Sequence, residues 1–251
     1  MVKPFMKLLV SIMIGIDQLI LGAKLQRVGD RLELITQNSY GYGDIIRSVS
    51  YATQIQKIYK IPVRVKFIVT YDKFDLSDII FKTLNHYNLN VDYHVYVGAL
   101  EEYANKYCNF LKLENAKIVR EVLGCPKLNT RHKPENQNHI AVWHPYKNLT
   151  KVEEYKTPFT EKEFWNFVLE YDNIKLVDYR MDTDKVFDII RTASLCVGYE
   201  GLGQQIAYHY NKRIVTFSTN RDVSINTGGP ESYITDNLND VRGIINDRNF
   251  L

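Results

Sequence analysis

The sequence predicts an α/β fold made of two Rossmann-like domains that face a cleft, and three observations favour this class. Short runs rich in β-branched and aromatic residues, such as residues 63–70, are bounded by proline or polar turn residues. Amphipathic stretches of helical length follow most of these runs. The same alternation restarts after a polar segment in the middle of the 251-residue chain. Strands that alternate with helices are typical of parallel sheets covered by helices.

The N-terminal residues 1–28 predict an amphipathic helix, because apolar residues recur there at helical spacing. These residues are Leu8, Leu9, Ile12, Met13, Ile16, Leu19, Ile20 and Ala23. The apolar run 8–16 is too short to span a bilayer, and Asp17 and Gln18 interrupt it where a signal peptide would continue. We therefore expect no integral membrane association. The three cysteines lack CxxC spacing and are too few for a disulfide framework, so a reducing, cytoplasmic compartment is expected.

Residues 29–125 predict the first α/β domain. The predicted strands are 32–36, 63–70 and 91–97, and the predicted helices are 44–59, 76–87, 100–113 and 117–123. Residues 126–138 are polar and poor in periodic apolar residues, which is typical of a linker. The second domain, residues 139–251, repeats the alternation. Its predicted strands are 139–144, 174–177, 195–198 and 213–218, and its predicted helices are 161–171, 185–193, 203–210 and 237–246.

The charge of the chain excludes a strongly basic nucleic-acid binder, because the formal net charge is only +3. The charge is nevertheless uneven. Residues 103–134 carry seven lysines and arginines against two glutamates. This segment is either a solvated surface around the linker or a binding surface for a polyanion such as DNA.

Ligands of open α/β sheets bind outside the carboxyl ends of the strands, so the residues at those ends are the functional candidates. Strand 32–36 is followed by the turn Tyr40, Gly41, Tyr42, Gly43 and Asp44, with Arg47 one helical turn later. The turn lacks the third glycine of GxGxxG and the GK[ST] of a P-loop. Asp44 is therefore either a cap for the following helix or a general base. Arg47 would keep Asp44 ionised or bind an anion.

Three further candidates follow strands of the second domain. His144 and Lys147 follow strand 139–144, and Arg180 follows strand 174–177. Each also has a structural interpretation, which for Arg180 is a surface salt bridge to Asp182 or Asp184. The two acids in residues 181–184 are not placed as a metal-binding DxD at a strand end, and we expect them to cap the next helix instead. No metal site is predicted.

Residues 198–203, where strand 195–198 runs into the start of a helix, contain three glycines in six residues. Glycines at a helix start expose backbone N–H groups that bind anions such as a diphosphate, and three of them at this sheet edge favour that interpretation over a tight strand-to-helix turn alone. The candidates here are Tyr199, Glu200, Gly201, Leu202, Gly203, Gln204 and Gln205. Glu200 would accept hydrogen bonds from ribose hydroxyls.

Three of these stretches together resemble the bacterial heptosyltransferase family of GT-B glycosyltransferases. They are GYGDIIRSVSYATQI, IAVWHPYKN and ASLCVGYEGLGQQIAYHYNKRIVTF, and the similar order of elements covers about residues 32–218. The chain departs from the family pattern at Tyr146, which stands in place of a glycine, and at Gln205, which stands in place of a histidine. Glu200 stands where the family has an aspartate. The resemblance implies a compact GT-B fold.

The resemblance also implies a metal-independent, inverting transfer of a sugar from a nucleotide-diphosphate sugar, without any other cofactor. Asp44 corresponds to the family's base and residues 40–47 to the acceptor side. The donor phosphates would lie on residues 201–205, with His144, Lys147 and Arg180 nearby. The acceptor would be a glycan or a lipid-linked sugar. Two alternatives stay open: a virus-type DNA glycosyltransferase that acts on a modified base, and a non-catalytic or NAD-type Rossmann nucleotide-binding protein. The missing GxGxxG speaks against NAD.

Overall fold

The computed structural model describes residues 23–37, 42–69, 74–97, 126–143, 159–178, 180–199, 201–217 and 232–247. Within these residues the chain has a mixed α/β fold with parallel sheets. The chain divides into two compact units, residues 1–129 and 130–251. The boundary falls inside the predicted linker 126–138.

The first unit contains a four-stranded sheet and two described helices. In chain order the elements are β1 (Ala23–Val28), β2 (Arg31–Gln37), α1 (Tyr42–Tyr59), β3 (Val63–Val69), α2 (Phe74–Leu84), β4 (Tyr87–Asn88), β5 (Asp92–Val97) and β6 (Asn129–Thr130). The strand order is β1-β2-β3-β5, with β2, β3 and β5 parallel and β1 antiparallel at the edge. β4 and β6 form a separate two-stranded sheet.

The predicted N-terminal helix over residues 1–28 is wrong at its C-terminal end. Ala23–Val28 is a strand that forms a hairpin with β2. Val28 pairs with Arg31, which leaves Gly29 and Asp30 as a two-residue turn, and Gly29 has the positive φ of 62° that such turns require. Cross-strand pairing and this turn therefore override the helical spacing at residue 23. Residues 1–22 lie outside the described part of the chain.

Within the described residues, the structure has strands and helices at the other positions predicted for the first unit, with one correction. The predicted helix 76–87 ends at Leu84, and Tyr87 begins β4 instead. The chain leaves the helix there because His86 donates its backbone N–H to Thr83 in a turn. The predicted helices 100–113 and 117–123 lie outside the described residues.

The core of the first unit lies between the sheet and its helices. β3 alternates buried and half-buried residues, as expected for a strand with one fully covered face. Its buried residues Val63, Val65 and Phe67 lie on that face, and α1 and α2 pack against the strand. On the other face, the buried carboxylate of Glu33 pairs with Lys66 at 2.6 Å. A buried carboxylate needs such a partner because burial without one is costly.

The second unit contains a five-stranded, fully parallel sheet. In chain order its elements are β7 (Ile140–Trp143), α3 (Glu161–Leu169), β8 (Ile174–Val177), α4 (Thr183–Thr192), β9 (Leu195–Tyr199), α5 (Leu202–His209), β10 (Ile214–Phe217), β11 (Ser232–Thr235) and α6 (Leu238–Asn246). The strand order is β11-β10-β9-β7-β8. The eight elements predicted for this unit match those in the structure, with shifts of a few residues, whereas β11 was not predicted.

Helices cover both faces of this sheet. On one face, Val142, Val197 and Val215 belong to a buried cluster with residues of α3 and α6. The alternate strand positions face the other way. There Cys196 lies beside the carbonyl of Ile190 on α4, and Thr216 accepts a hydrogen bond from Gln204 on α5. The strands are consequently buried on both sides, as parallel strands normally are.

Lys212 anchors the segment that leads into the second unit. Its buried ammonium donates to the carbonyls of Glu135 and Ala193 and to Asn136 Oδ1. Burial lowers the pKa of Lys212. Three acceptors are all that an ammonium can engage, so the group is fully satisfied. Part of the predicted linker, around residue 135, is thus held by hydrogen bonds within the second unit.

His139 precedes β7 at the amino-terminal edge of the sheet and is buried. Its Nε2 lies 3.0 Å from the carbonyl oxygen of Ile189, so Nε2 carries the hydrogen of the neutral ring. Burial lowers the pKa of this imidazole below its ordinary 6.5. The Ile189 carbonyl opposes that shift, whereas the charges of Lys175 and Lys212 add to it. The unfolded chain therefore binds this proton at a higher pH than the folded chain does.

We expect the contribution of His139 to the free energy of unfolding to be constant well above pH 6.5 and to decrease as the pH falls through about 6.5 towards the lower folded pKa. The slope from one such group is at most about 1.4 kcal/mol per pH unit. Urea denaturation between about pH 7.5 and 5 measures it, and His139→Gln should flatten the profile. Glu135 and Glu163 have pKa values lowered from 4.5, so their effects lie at more acidic pH. An unchanged slope in the variant would show that other groups cause it.

Candidate functional site

The strand order of the second unit indicates where a ligand would bind. Numbered along the unit, its strands lie in the order 2-1-3-4-5, so the order reverses between β7 and β9. Ligands of open α/β sheets bind outside the carboxyl ends of the strands at such a point. β7 ends at Trp143 and β9 ends at Tyr199. The predicted candidates 144–147 and 199–205 therefore begin at this point.

The start of α5 differs from the other described helix starts of the second unit. Thr160, Asp182 and Asn237 cap α3, α4 and α6, and each side chain accepts a hydrogen bond from a backbone N–H. The N-cap of α5 is Gly201, and no side chain of the described residues caps this helix. The part of the chain that the structure describes therefore offers no side-chain acceptor to the first N–H groups of α5, which is the arrangement that suits an anion.

Gly201 has a backbone conformation that requires glycine. Its φ of 147° and ψ of −153° lie in a region that residues with a Cβ essentially do not enter. A Cβ built on Gly201 would have no described atom within 4 Å. The constraint on Gly201 is therefore the backbone angle, and no described atom fills the space beside the residue.

The other two glycines of this stretch serve a different purpose. A Cβ on Gly203 would lie 2.6 Å from Cδ2 of Trp143, and a Cβ on Gly198 would overlap the same indole even more closely. The indole also donates its Nε1–H to the carbonyl oxygen of Tyr199 at 2.5 Å. Gly198 and Gly203 thus make room for Trp143. The predicted ligand role of this glycine group stays a prediction, and of the three only Gly201 has no described atom within 4 Å of a built Cβ.

Gln204 and Gln205 lie in the first turns of α5 and are buried. Gln204 donates its amide to Thr216 Oγ1 at 2.8 Å, which ties α5 to β10. The Oε1 atom of Gln204 and the Nε2 atom of Gln205 are buried without a hydrogen-bond partner in the part of the chain that the structure describes. Leu202, the first helical residue, is half-buried.

Two predicted donor residues make contacts that bear on their roles. The ring of Tyr199 packs in the core, 5.4 Å from the ring of Phe217, so its side chain contributes to folding. Arg180 is exposed and forms a two-point pair with Asp178, at 3.2 and 2.8 Å. A pair with Asp182 or Asp184 was the predicted structural alternative. Asp182 instead accepts the N–H of Asp184 as the cap of α4, as the helix-cap prediction has it.

In the first unit, α1 begins at Tyr42, after β2 ends at Gln37. Asp44 is thus in the first turn of α1 and not the residue before it. Gly43 is buried and Arg47 is half-buried. His144, Lys147, Glu200, Tyr40 and Gly41 lie outside the described residues, as do the side chains of Tyr42 and Asp44. Their predicted roles stay predictions.

Other chemistry near this sheet is limited. Burial raises the pKa of the Cys196 thiol to about 12, so this cysteine is not a nucleophile near neutral pH. The described residues contain no group of histidine, cysteine or carboxylate side chains arranged to hold a metal ion.

None of the helices in the described ranges is both long and apolar enough to cross a bilayer. Of the basic segment 103–134, the described cations Lys127, Arg131 and Lys133 are exposed.

Trp143 is the residue at this site that the sequence did not identify. It is the last residue of a buried strand, where an aromatic residue is ordinary. The glycines at positions 198 and 203 were the feature of the sequence that could have pointed to Trp143. They were interpreted as space for a ligand, and the indole lies beside both of them. Comparisons with protein-family models, with curated proteins and with solved structures gave no match.

Proposed function

We propose that the protein is a metal-independent, inverting glycosyltransferase with two Rossmann-like domains of the GT-B type. Its second unit would bind the diphosphate of a nucleotide-sugar at the start of α5. One observation carries the proposal: Gly201 has a glycine-only conformation, and no side chain among the described residues caps the start of α5, at the point where the strand order reverses. The resemblance to heptosyltransferases supports the same assignment.

The chemistry follows from the charge of the leaving group. Breaking the bond between the sugar and the nucleotide leaves negative charge on the diphosphate, and fixed N–H dipoles stabilise that charge without a metal ion. The helix start offers such dipoles in a fixed direction. Arg180 contributes less than a free arginine would, because Asp178 neutralises it in a two-point pair. Lys147 is proposed as the second positive group at the phosphates.

Asp44 is proposed as the base that takes the proton of the acceptor hydroxyl. The hydroxyl would then attack the anomeric carbon opposite the departing diphosphate, which inverts the configuration. The proposed acceptor is a glycan or a lipid-linked sugar. A DNA acceptor depends on the segment 103–134, most of which lies outside the described residues, so no described contact favours DNA.

The packing of Trp143 argues against the NAD-type alternative. In dinucleotide-binding folds, glycines let the pyrophosphate approach the backbone closely and let the helix pack on the strand. Here the indole of Trp143 occupies the space beside Gly198 and Gly203. The start of α5 is the part of the loop that is left for phosphate. This arrangement suits a diphosphate at the sheet edge better than a dinucleotide laid across the glycines.

A thermal-shift panel with UDP, GDP, ADP, the three corresponding monophosphates and NAD tests the proposal. At about 100 times its Kd, a bound nucleoside diphosphate adds about 2.7 kcal/mol to the stability of the folded chain. For a chain of this size, that corresponds to an increase in Tm of roughly 5–10 °C. Stabilisation by one diphosphate should exceed that by its monophosphate, because the proposed site binds phosphate. Stabilisation by NAD alone, or by no nucleotide, would contradict the proposal.

Gly201→Ala should remove most of the diphosphate-induced increase, because alanine cannot keep the φ of Gly201 without strain. Gly29→Ala is the matched control. Gly29 also has a positive φ, and a Cβ on it would likewise meet no described atom within 4 Å. Both variants should lower the Tm of the ligand-free protein. Only Gly201→Ala should lose the nucleotide-induced increase in Tm. An equal increase in the two variants would show that the diphosphate does not bind at Gly201.

A further inference from the structure

Trp143 contacts the end of β9 and the start of α5 at three points. The indole Nε1–H donates to the carbonyl oxygen of Tyr199, at the start of the loop. The ring packs on Gly203, in the first turn of α5, and on Gly198, in β9. Trp143 is itself buried, with 5% of its surface exposed. One side chain thus contacts the loop on both sides of Gly201.

We propose that Trp143 is the positioning residue of the turn into α5, and that it fixes Tyr199 and Gly203 in the conformation that binds the diphosphate. This inference rests on the proposed function. Trp143 does not touch the ligand in this proposal. It acts through the backbone of Tyr199 and Gly203, and so determines the direction of the N–H groups at the start of α5.

Such a residue is needed because α5 has no side-chain cap from the described residues. In α3, α4 and α6 a side chain at the N-cap fixes the first turn. A side-chain cap on α5 would occupy the same N–H groups that the anion needs. Trp143 stabilises the turn from the sheet side instead, which leaves those groups available. The ring has little freedom, because Gly198 and Gly203 leave a narrow slot for it.

A loop that is already ordered binds its ligand more tightly, because its conformational entropy is lost during folding and not on binding. When only a fraction of the molecules has the binding conformation, the apparent Kd rises by the inverse of that fraction. Loss of the indole hydrogen bond should therefore weaken nucleotide binding. The rate of the bound complex should not change, because the base lies on the first unit.

The two tryptophans of the chain provide a matched pair of variants. Trp165 on α3 also donates its indole N–H, but to the exposed carboxylate of Glu161, at 3.3 Å. Trp143→Phe removes the bond to Tyr199 and keeps an aromatic ring in the slot. Trp165→Phe removes the surface bond and makes Trp143 the single indole, so its emission then reports on the loop.

Isothermal titration with UDP, GDP and ADP compares the variants, using the diphosphate that binds the wild-type chain. We expect Trp143→Phe to bind it about 5- to 10-fold more weakly, with KM raised by a similar factor and kcat unchanged. Trp165→Phe should bind like the wild type, and its emission should change on saturation. Phe187→Leu, at a buried position on α4, controls for general destabilisation and should also bind like the wild type.

Amide hydrogen exchange gives a second measurement that needs no ligand. In Trp143→Phe, the peptide that contains residues 200–205 should exchange faster than in the wild type, while a peptide from α6 should not. Equal affinity and equal exchange in Trp143→Phe would overturn the role of Trp143 and leave the proposed function intact. A wild-type chain that binds none of the diphosphates would overturn both.

Discussion

Gly203→Ala is expected to destabilise the second unit by about 3 kcal/mol, at the upper end of the range for overpacking. The added methyl group would lie 2.6 Å from Cδ2 of Trp143, well inside van der Waals contact. The indole has little room to move, because it also contacts Gly198 and is hydrogen-bonded to Tyr199. Glycine-to-alanine changes inside helices normally stabilise by roughly 0.5–1 kcal/mol. Gly203→Ala is therefore expected to lower the stability, whereas glycine-to-alanine changes in helices ordinarily raise it.

Gly243→Ala supplies the control for this prediction. Gly243 lies within α6, and a Cβ on it would meet no described atom within 4 Å. We expect this variant to be stabilised by about 0.5–1 kcal/mol in urea denaturation. Trp143→Leu combined with Gly203→Ala should cost less than the sum of the single changes, because a smaller side chain makes room for the methyl group. Stabilisation by Gly203→Ala alone would show that the indole does not occupy the space beside this glycine.

Most of the secondary structure in the described residues could be predicted from local patterns. β3 and α3 are examples, because periodicity and turn residues define both within a short window. β1 was missed because the helical spacing of residues 8–20 was extended across it. The signal for a hairpin was nevertheless present, since Gly29-Asp30 lies between two short runs, and residues 23–26 and 31–34 of these runs alternate apolar and polar residues. β11 was missed because its four residues carry little periodic information.

The position of the candidate site was predictable, but the roles of its glycines were not. Strand ends of a parallel sheet meet at one edge, so residues 144–147 and 199–205 could be placed together from the sequence alone. The glycines at 198, 201 and 203 look equivalent in the sequence. They differ in the structure because Trp143, more than fifty positions earlier, contacts the first and the last. Contacts over such distances in the chain leave no local pattern.

The carboxylate that pairs with Arg180 also could not be predicted from a local pattern. Asp178, Asp182 and Asp184 all lie within four residues of Arg180, so the sequence offers three acids of equal charge. Asp182 is engaged as the N-cap of α4, which begins immediately after it. Asp178 accepts hydrogen bonds from Nε and Nη2 of the guanidinium. The role of Asp182 depends on where α4 starts, and that position is known only once the helix is placed.

Asp44→Asn is expected to lower turnover by about 10²–10⁴-fold while leaving nucleotide affinity nearly unchanged. Asparagine has almost the same shape as aspartate, but its amide cannot accept the proton of the acceptor hydroxyl. Asp44 also lies in the first turn of α1, where a negative charge stabilises a helix by about 0.3–1 kcal/mol. A purely structural Asp44 would therefore show only that small loss in urea denaturation. Asp184→Asn, in the first turn of α4, is the matched control and should lose a similar stability without any loss of turnover. Turnover that is the same in both variants would reduce Asp44 to a helix-start residue and remove the base from the proposed mechanism.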